Sequence, residues 1–125
     1  MDIVLAPASG VPIYQQVAAQ VAAQILRGEL APGSPLPPIR TVARQLEISV
    51  ITIKKAWEEL ERRGFIYGQV GRGTFVAPRQ PHEVGDLRRE VAAEQMRKDV
   101  AFYQNLGLTC AEAVALLQAA YDDPV

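Results

Sequence analysis

Apolar residues recur at helical spacing through most of the chain. Ile13, Val17, Val21 and Ile25 fall every four residues and mark the buried face of a helix that Pro12 opens. Gly28 offers that helix a left-handed stop. Ala31-Pro32-Gly33-Ser34 has the make-up of a type II turn, proline presetting the first central residue and glycine supplying positive φ at the second. Leu30 and Leu36 flank it as core contacts. Pro38 opens a second helix over 38–46, with Ile39, Val42, Ala43 and Leu46 inward. Glu47-Ile48 is a short turn, and Ser49 is a good N-cap for a third helix. Ile53, Ala56, Trp57 and Leu60 form that helix's buried stripe, and Gly64 ends it.

The pattern then changes. Phe65-Ile66-Tyr67 reads as a strand, Gly71-Arg72-Gly73 as a tight turn, and Thr74-Phe75-Val76 as the returning strand, closed by Pro78. Pro78-Arg79-Gln80-Pro81 reads as a linker. A fourth helix follows over about 83–105, with Val84, Leu87, Val91, Met96, Val100 and Tyr103 drifting around an amphipathic surface. Gly107 stops it. Thr109-x-x-Glu112 is a capping box for a fifth helix with Ala113, Leu116, Leu117 and Ala120 on one face. The fold class expected is mainly α with a small β-hairpin. A winged helix-turn-helix domain occupies 1–78, a linker 79–82, and a two-helix tail 83–125.

Two short helices, a brief turn and a capped third helix are the parts of a helix-turn-helix, and the hairpin supplies a wing. In such a motif one helix crosses the DNA backbone and the next puts its N-terminal turn into the major groove. Ser49, Thr52, Lys54 and Lys55 lie toward the polar front of the third helix, and the free N–H groups at Ser49 favour a phosphate. At the hairpin tip Arg72 stands between two glycines, so a cation on a narrow tip can enter a minor groove or meet phosphate.

Taken as a total, a formal net charge of −1 over 125 residues argues against a nucleic-acid partner. The total hides an asymmetry. Residues 1–78 hold eight basic and six acidic residues, whereas 79–125 hold five and eight. A mildly basic head precedes an acidic tail. One cysteine, Cys110, permits no internal disulfide, the N-terminus makes a poor signal peptide, and no apolar run approaches about 20 residues; a cytoplasmic protein is expected. No nucleophile–base pair, carboxylate dyad or phosphate loop is visible, so neither an enzyme nor a cofactor is expected. His82 and Cys110 build no metal site.

At this point residues 12–77 resemble the GntR family of bacterial transcription regulators. The resemblance rests on G-x-L-x-P-G-S-x-L-P from Gly28 to Pro37, an arginine just inside the second helix, and the Ser-capped third helix. L-E-x-x-G from Leu60 to Gly64 and G-x-G-T-F-V from Gly71 to Val76 complete the set. It implies a double-stranded DNA operator as partner. Arg40 would contact backbone or a guanine edge. Ser49, Val50, Thr52, Lys54 and Lys55 would belong to the recognition helix, and Gly71, Arg72 and Gly73 to the wing tip. Two departures stand out. Val50 and Ile51 occupy positions where the family commonly has Arg or Asn; apolar side chains there contact thymine methyls but cannot pair bidentately with guanine. Pro38 replaces a serine often found before the second helix.

Most relatives carry a large effector-binding or aminotransferase-like domain after the wing, for which 83–125 is too short. A two-helix tail is similar to that of the short YtrA-like subfamily. That resemblance implies a homodimer held by the tail, a repressor on a palindromic operator, and operons for ATP-driven transporters as targets. A small-molecule effector would have only the tail and linker for a pocket, near Arg88, Arg89, Arg97 and Tyr103. A winged helix that binds another protein remains the alternative, because fold does not fix function.

Overall fold

The computed structural model describes residues 1–123; Pro124 and Val125, which the sequence places in the tail, lie outside the described residues. The chain divides into two compact units, Met1–Val84 and Gly85 onward. The first contains α1 (Ile13–Leu26), α2 (Ile39–Leu46), α3 (Val50–Arg62), and the strands β1 (Ile66–Gln69) and β2 (Gly73–Val76). It also contains the first turn of α4 (Pro81–Asn105). The rest of α4 and α5 (Cys110–Asp122) make the second unit.

The apolar spacing of the first unit builds one core. α1 and α2 both pack on α3. Val17 and Val21 from α1, Val42 from α2, and Ile53 and Leu60 from α3 are at most 1% exposed. Phe65 and Val76 close the core from the hairpin. Each large side chain so buried contributes about 1.5–3 kcal/mol. Ala56 and Trp57 complete the stripe on α3 and are buried as expected. Leu36 is buried, while Leu30, Ile13, Ile39 and Leu46 are half-buried at the margin.

The connection from α1 to α2 shows what the G-x-L-x-P-G-S motif does. The Glu29 N–H reaches back to the Gln24 carbonyl and closes the helix. Ser34 N–H then bonds the Ala31 carbonyl at 3.1 Å, with Gly33 at φ +79° in the position where a type II turn needs it. Beyond the turn the chain runs beside β2. Gly33 and Leu36 N–H groups donate to the Val76 and Thr74 carbonyls, and Val76 N–H donates to Ser34. The wing is thus stitched on its outer edge to the segment that leads into α2.

Three boundaries differ from the sequence reading. The first strand begins at Ile66, because the Phe65 N–H is already used to close α3 on the Leu60 carbonyl. Gly73 pairs with Gln69 inside the hairpin, so the loop is Val70-Gly71-Arg72. α4 begins at Pro81 and takes in half of the expected linker. Proline's missing N–H costs nothing there. The Glu83 carboxylate accepts from the Gln80 N–H at 3.1 Å and caps the new end. Arg79, on the other side, donates to the Gly64 carbonyl and holds the linker against the end of α3.

One element was not legible at all. Gln16, Gln20 and Gln24 lie four residues apart on α1 and bind the backbone of an extended N-terminal segment. The Gln20 side chain accepts from Val4 N–H at 2.9 Å and donates to the Val4 carbonyl at 2.6 Å. Gln16 does the same for Ala6, and Gln24 donates to the Asp2 carbonyl. Four helical residues rise about 6 Å and two strand residues about 6.6 Å, so amides every fourth residue meet the backbone at every second. The glutamine row acts as a substitute strand.

In the second unit α4 ends where the Leu108 N–H bonds the Tyr103 carbonyl. Thr109 and Glu112 form the expected capping box. Each side chain accepts from the other residue's N–H, at 3.2 and 3.0 Å. Those bonds from Thr109 hold the Glu112 carboxyl below the usual carboxylate range. Neither α4 nor α5 has a buried residue among the described ones. Met96, Val100, Leu116 and Leu117 are 40–54% exposed. With Tyr103, Leu108, Ala113 and Ala120 they line an open groove of about 440 Å³ between the two helices. No helix of the described residues is long and apolar enough to cross a membrane.

Candidate nucleic-acid interface

The turn between α2 and α3 is tight because Glu47 adopts φ +56°, a left-handed conformation uncommon for a residue with a side chain. It lets the Ile48 N–H return to the Ala43 carbonyl at 3.0 Å, and the chain re-enters a helix two residues later. Ser49 caps α3: its hydroxyl oxygen accepts from the Thr52 N–H at 3.1 Å and also lies 2.7 Å from the Thr52 hydroxyl. The two hydroxyls are committed to each other and to the cap.

Burial fixes which way α3 faces. With Ile53, Ala56, Trp57 and Leu60 against the core, successive steps of about 100° put Ile51, Lys54, Lys55 and Glu58 on the opposite side. All four are exposed, Ile51 by 78%. Val50, which the sequence places in the site, is half-buried beside the core. Lys55 does not project freely. Its ammonium sits 4.2 Å from the centre of the Tyr14 ring on α1, a cation–π contact.

Pairing separates structural charges from available ones. Arg27 binds Glu29 at 3.0 Å and Arg62 binds Glu59 at 2.6 Å. Each arginine hydrogen-bonds its carboxylate and holds it below its ordinary pKa. Arg40, Arg44, Lys54 and Arg72 are exposed and make no ion pair among the described residues. Arg40 stands in the first turn of α2, which has no acidic residue. A helix N-terminus carries partial positive charge, so a cation there is locally unfavourable. An anionic partner turns that cost into an attraction.

The wing presents its loop fully to solvent. Arg72 N–H bonds the Gln69 carbonyl at 3.0 Å, closing a turn in which Gly71 takes φ +77° at the third position. Only glycine adopts this conformation without strain. The narrow tip therefore shows Val70, wholly exposed, and the Arg72 side chain. Tyr67 and Phe75 stack across the hairpin with ring centres 5.7 Å apart and stiffen it.

Arg40, Ser49, Thr52 and Lys54 thus fall on the helix-turn-helix, and Gly71, Arg72 and Gly73 on the wing. Val50 is half-buried, and Lys55 is exposed with its ammonium over the Tyr14 ring. Beside them on the same surfaces stand Arg44 and Val70, which the sequence pattern does not single out, and Ile51, which it gives with Val50 as able to contact thymine methyls. Ile51 is two positions before the fully buried Ile53, so a helical projection already puts it outside. Arg44 is four residues after Arg40 on the same helix. Val70 precedes the turn glycine in the loop. Elsewhere, Arg89 pairs with Asp86 at 2.6 Å, Arg88 and Arg97 are exposed, and Tyr103 lines the α4–α5 groove. His82 and Cys110 are exposed, and no group of three potential metal ligands occurs among the described residues.

Comparison with known proteins agrees with this geometry. The family model for bacterial regulatory proteins of the gntR family matches residues 13–76. The HTH-type transcriptional regulator YhcF of Bacillus subtilis is 36% identical over 81% of this chain and 83% of its own length. The HTH-type transcriptional repressor YtrA of the same organism is 33% identical over 74% of this chain and 71% of its own. A GntR family regulator from Listeria monocytogenes shares the fold, with a TM-score of 0.76 over 89% of this chain and 96% of that one at 24% identity. The AraR DNA-binding domain, solved with its operator, superposes with a TM-score of 0.53 over 62% of this chain and 93% of that chain, at 31% identity. The chain belongs to the gntR family of bacterial regulatory proteins, DNA-binding regulators of transcription rather than enzymes.

Proposed function

We propose that the α2–α3 pair and the wing are the surface that meets DNA, and that the protein works as a homodimeric repressor on a palindromic operator in the cytoplasm. The observation that carries the first part is the set of exposed, unpaired cations Arg40, Arg44, Lys54 and Arg72 around the capped start of α3. Net charge is no obstacle, because the acidic excess lies in the tail. The AraR domain, bound to its operator in the solved complex, is a relative of the same first unit.

The second part rests on the tail. A helical pair with no buried residue does not sustain itself, since packing of an apolar face supplies most helical stability. A second copy of the same groove is the surface always present at matching concentration, and two-fold closure is the commonest assembly. The groove is therefore assigned to the partner protomer rather than to a small effector. Two α3 helices about 34 Å apart would then enter successive major grooves. The resemblance to YtrA-like regulators adds transporter genes as the target class.

The test is a binding titration of random duplex and of the gene's own upstream duplex across a salt series. Each phosphate neutralised lowers the log–log slope by about 0.9. Four cations in each of two protomers predict a slope of about −7, with tighter binding to the upstream duplex. Absence of binding at low salt would instead support a protein-binding winged helix.

A further inference from the structure

The outward face of α3 holds an apolar residue where a DNA surface would be expected to be polar. Ile51 is 78% exposed in the first turn of the helix, nearly opposite Ile53, which is fully buried. A single exposed isoleucine is unremarkable on an ordinary surface. Here the neighbours on its face are Lys54 and Lys55, one turn on. Other candidates for touching a base edge are withdrawn from the front of this turn. The hydroxyls of Ser49 and Thr52 bond each other at 2.7 Å, Val50 is half-buried, and Lys55 lies over the Tyr14 ring. Ile51 and Lys54 are left.

A branched aliphatic side chain has no donor or acceptor, so it cannot distinguish guanine from adenine or accept from cytosine. One group on the floor of the major groove matches it: the 5-methyl of thymine, the only apolar feature that any base presents there. We propose that Ile51 is a specificity-determining residue, packing on a thymine methyl in the operator while Lys54 holds phosphate or a purine acceptor. The proposal rests on the reading of α3 as the groove-entering helix. Of the two apolar positions at the start of α3, it assigns base selection to Ile51 alone, because Val50 is half-buried.

The contact has a sharp test, because deoxyuridine differs from thymidine by that methyl alone. A specific duplex is first selected from a library with a random core of about 20 base pairs, using the wild-type protein. Each thymidine is then replaced singly by deoxyuridine, and affinities are measured for wild type and Ile51→Ala. Burying one methyl corresponds to roughly threefold to fourfold in affinity. At one thymine position per recognition helix, the wild type should bind the uridine duplex about that much more weakly, and Ile51→Ala should bind both duplexes equally. Selection repeated with Ile51→Ala should lose the preference for thymine at that position. Ile51 is exposed, so the variant should melt with the wild type. If no uridine substitution affects the wild type, or if the same loss persists in Ile51→Ala, the assignment of Ile51 is overturned while α3 remains the reading helix. Failure of the wild type to select any sequence overturns both.

Discussion

Lys54→Ala combined with Arg72→Ala should weaken binding to a selected operator duplex by about a hundredfold or more at about 100 mM salt, and flatten its salt slope. The two cations come from different elements, the front of α3 and the tip of the wing. Neither is engaged in an ion pair among the described residues. Truncating them removes no internal contact, so folding stability should change by less than about 0.5 kcal/mol. What is lost is phosphate neutralisation. With two cations in each of two protomers, the slope should become shallower by about 3 to 4. Lys55→Ala is the internal contrast. That lysine rests on Tyr14, so its removal should cost much less affinity and some packing of α1 on α3. Unchanged affinity of the double variant, measured by anisotropy, would remove α3 and the wing from the interface.

Leu116→Glu with Leu117→Glu should turn a dimer into a monomer and cut operator affinity by about a hundredfold to ten-thousandfold. Both leucines face the α4–α5 groove and are about half exposed in the single chain. Placed against a second copy they become core, and an unpaired carboxylate there costs several kcal/mol. In a lone chain the same carboxylates stay hydrated and cost little. The loss of affinity follows from geometry rather than from contact with DNA. Two linked recognition helices bind with a high effective concentration, which separate monomers lack. Sedimentation should show half the mass, with the first unit's fold intact by near-ultraviolet signal from Trp57. A mass unaffected by the double substitution would reassign the apolar face.

Much of this arrangement is written in local patterns. α3 was legible from end to end because its signals are local and agree. Ser49 caps it, the stripe from Ile53 to Leu60 repeats at helical period, and the turn after Arg63 closes on Leu60. The capping box of α5 was legible for the same reason. Boundaries failed where one residue had two uses. Phe65 has strand composition, but its N–H ends a helix. Pro81 has linker composition, but suits a helix's first position. The glutamine row on α1 was invisible because its partners are backbone groups 10 to 22 residues away, and no side-chain pattern announces them. In the site, residue types suggested Val50 and Lys55, but not that Val50 is half-buried or that the Lys55 ammonium lies over the Tyr14 ring. Residue type left Val50 and Ile51 together as thymine-methyl contacts, and only the turn of the helix separates them, Ile51 outward and Val50 half-buried.

The most direct measurement is a nitrogen-15 amide map of the full chain titrated with a random duplex of about 20 base pairs at low salt. A DNA surface formed by α2, α3 and the wing predicts shifts at Arg40 and Arg44, from Ser49 to Lys55, and from Val70 to Gly73, with α4 and α5 beyond Gly85 unmoved. Shifts confined to α4 and α5, or to the N-terminal segment on α1, would contradict it.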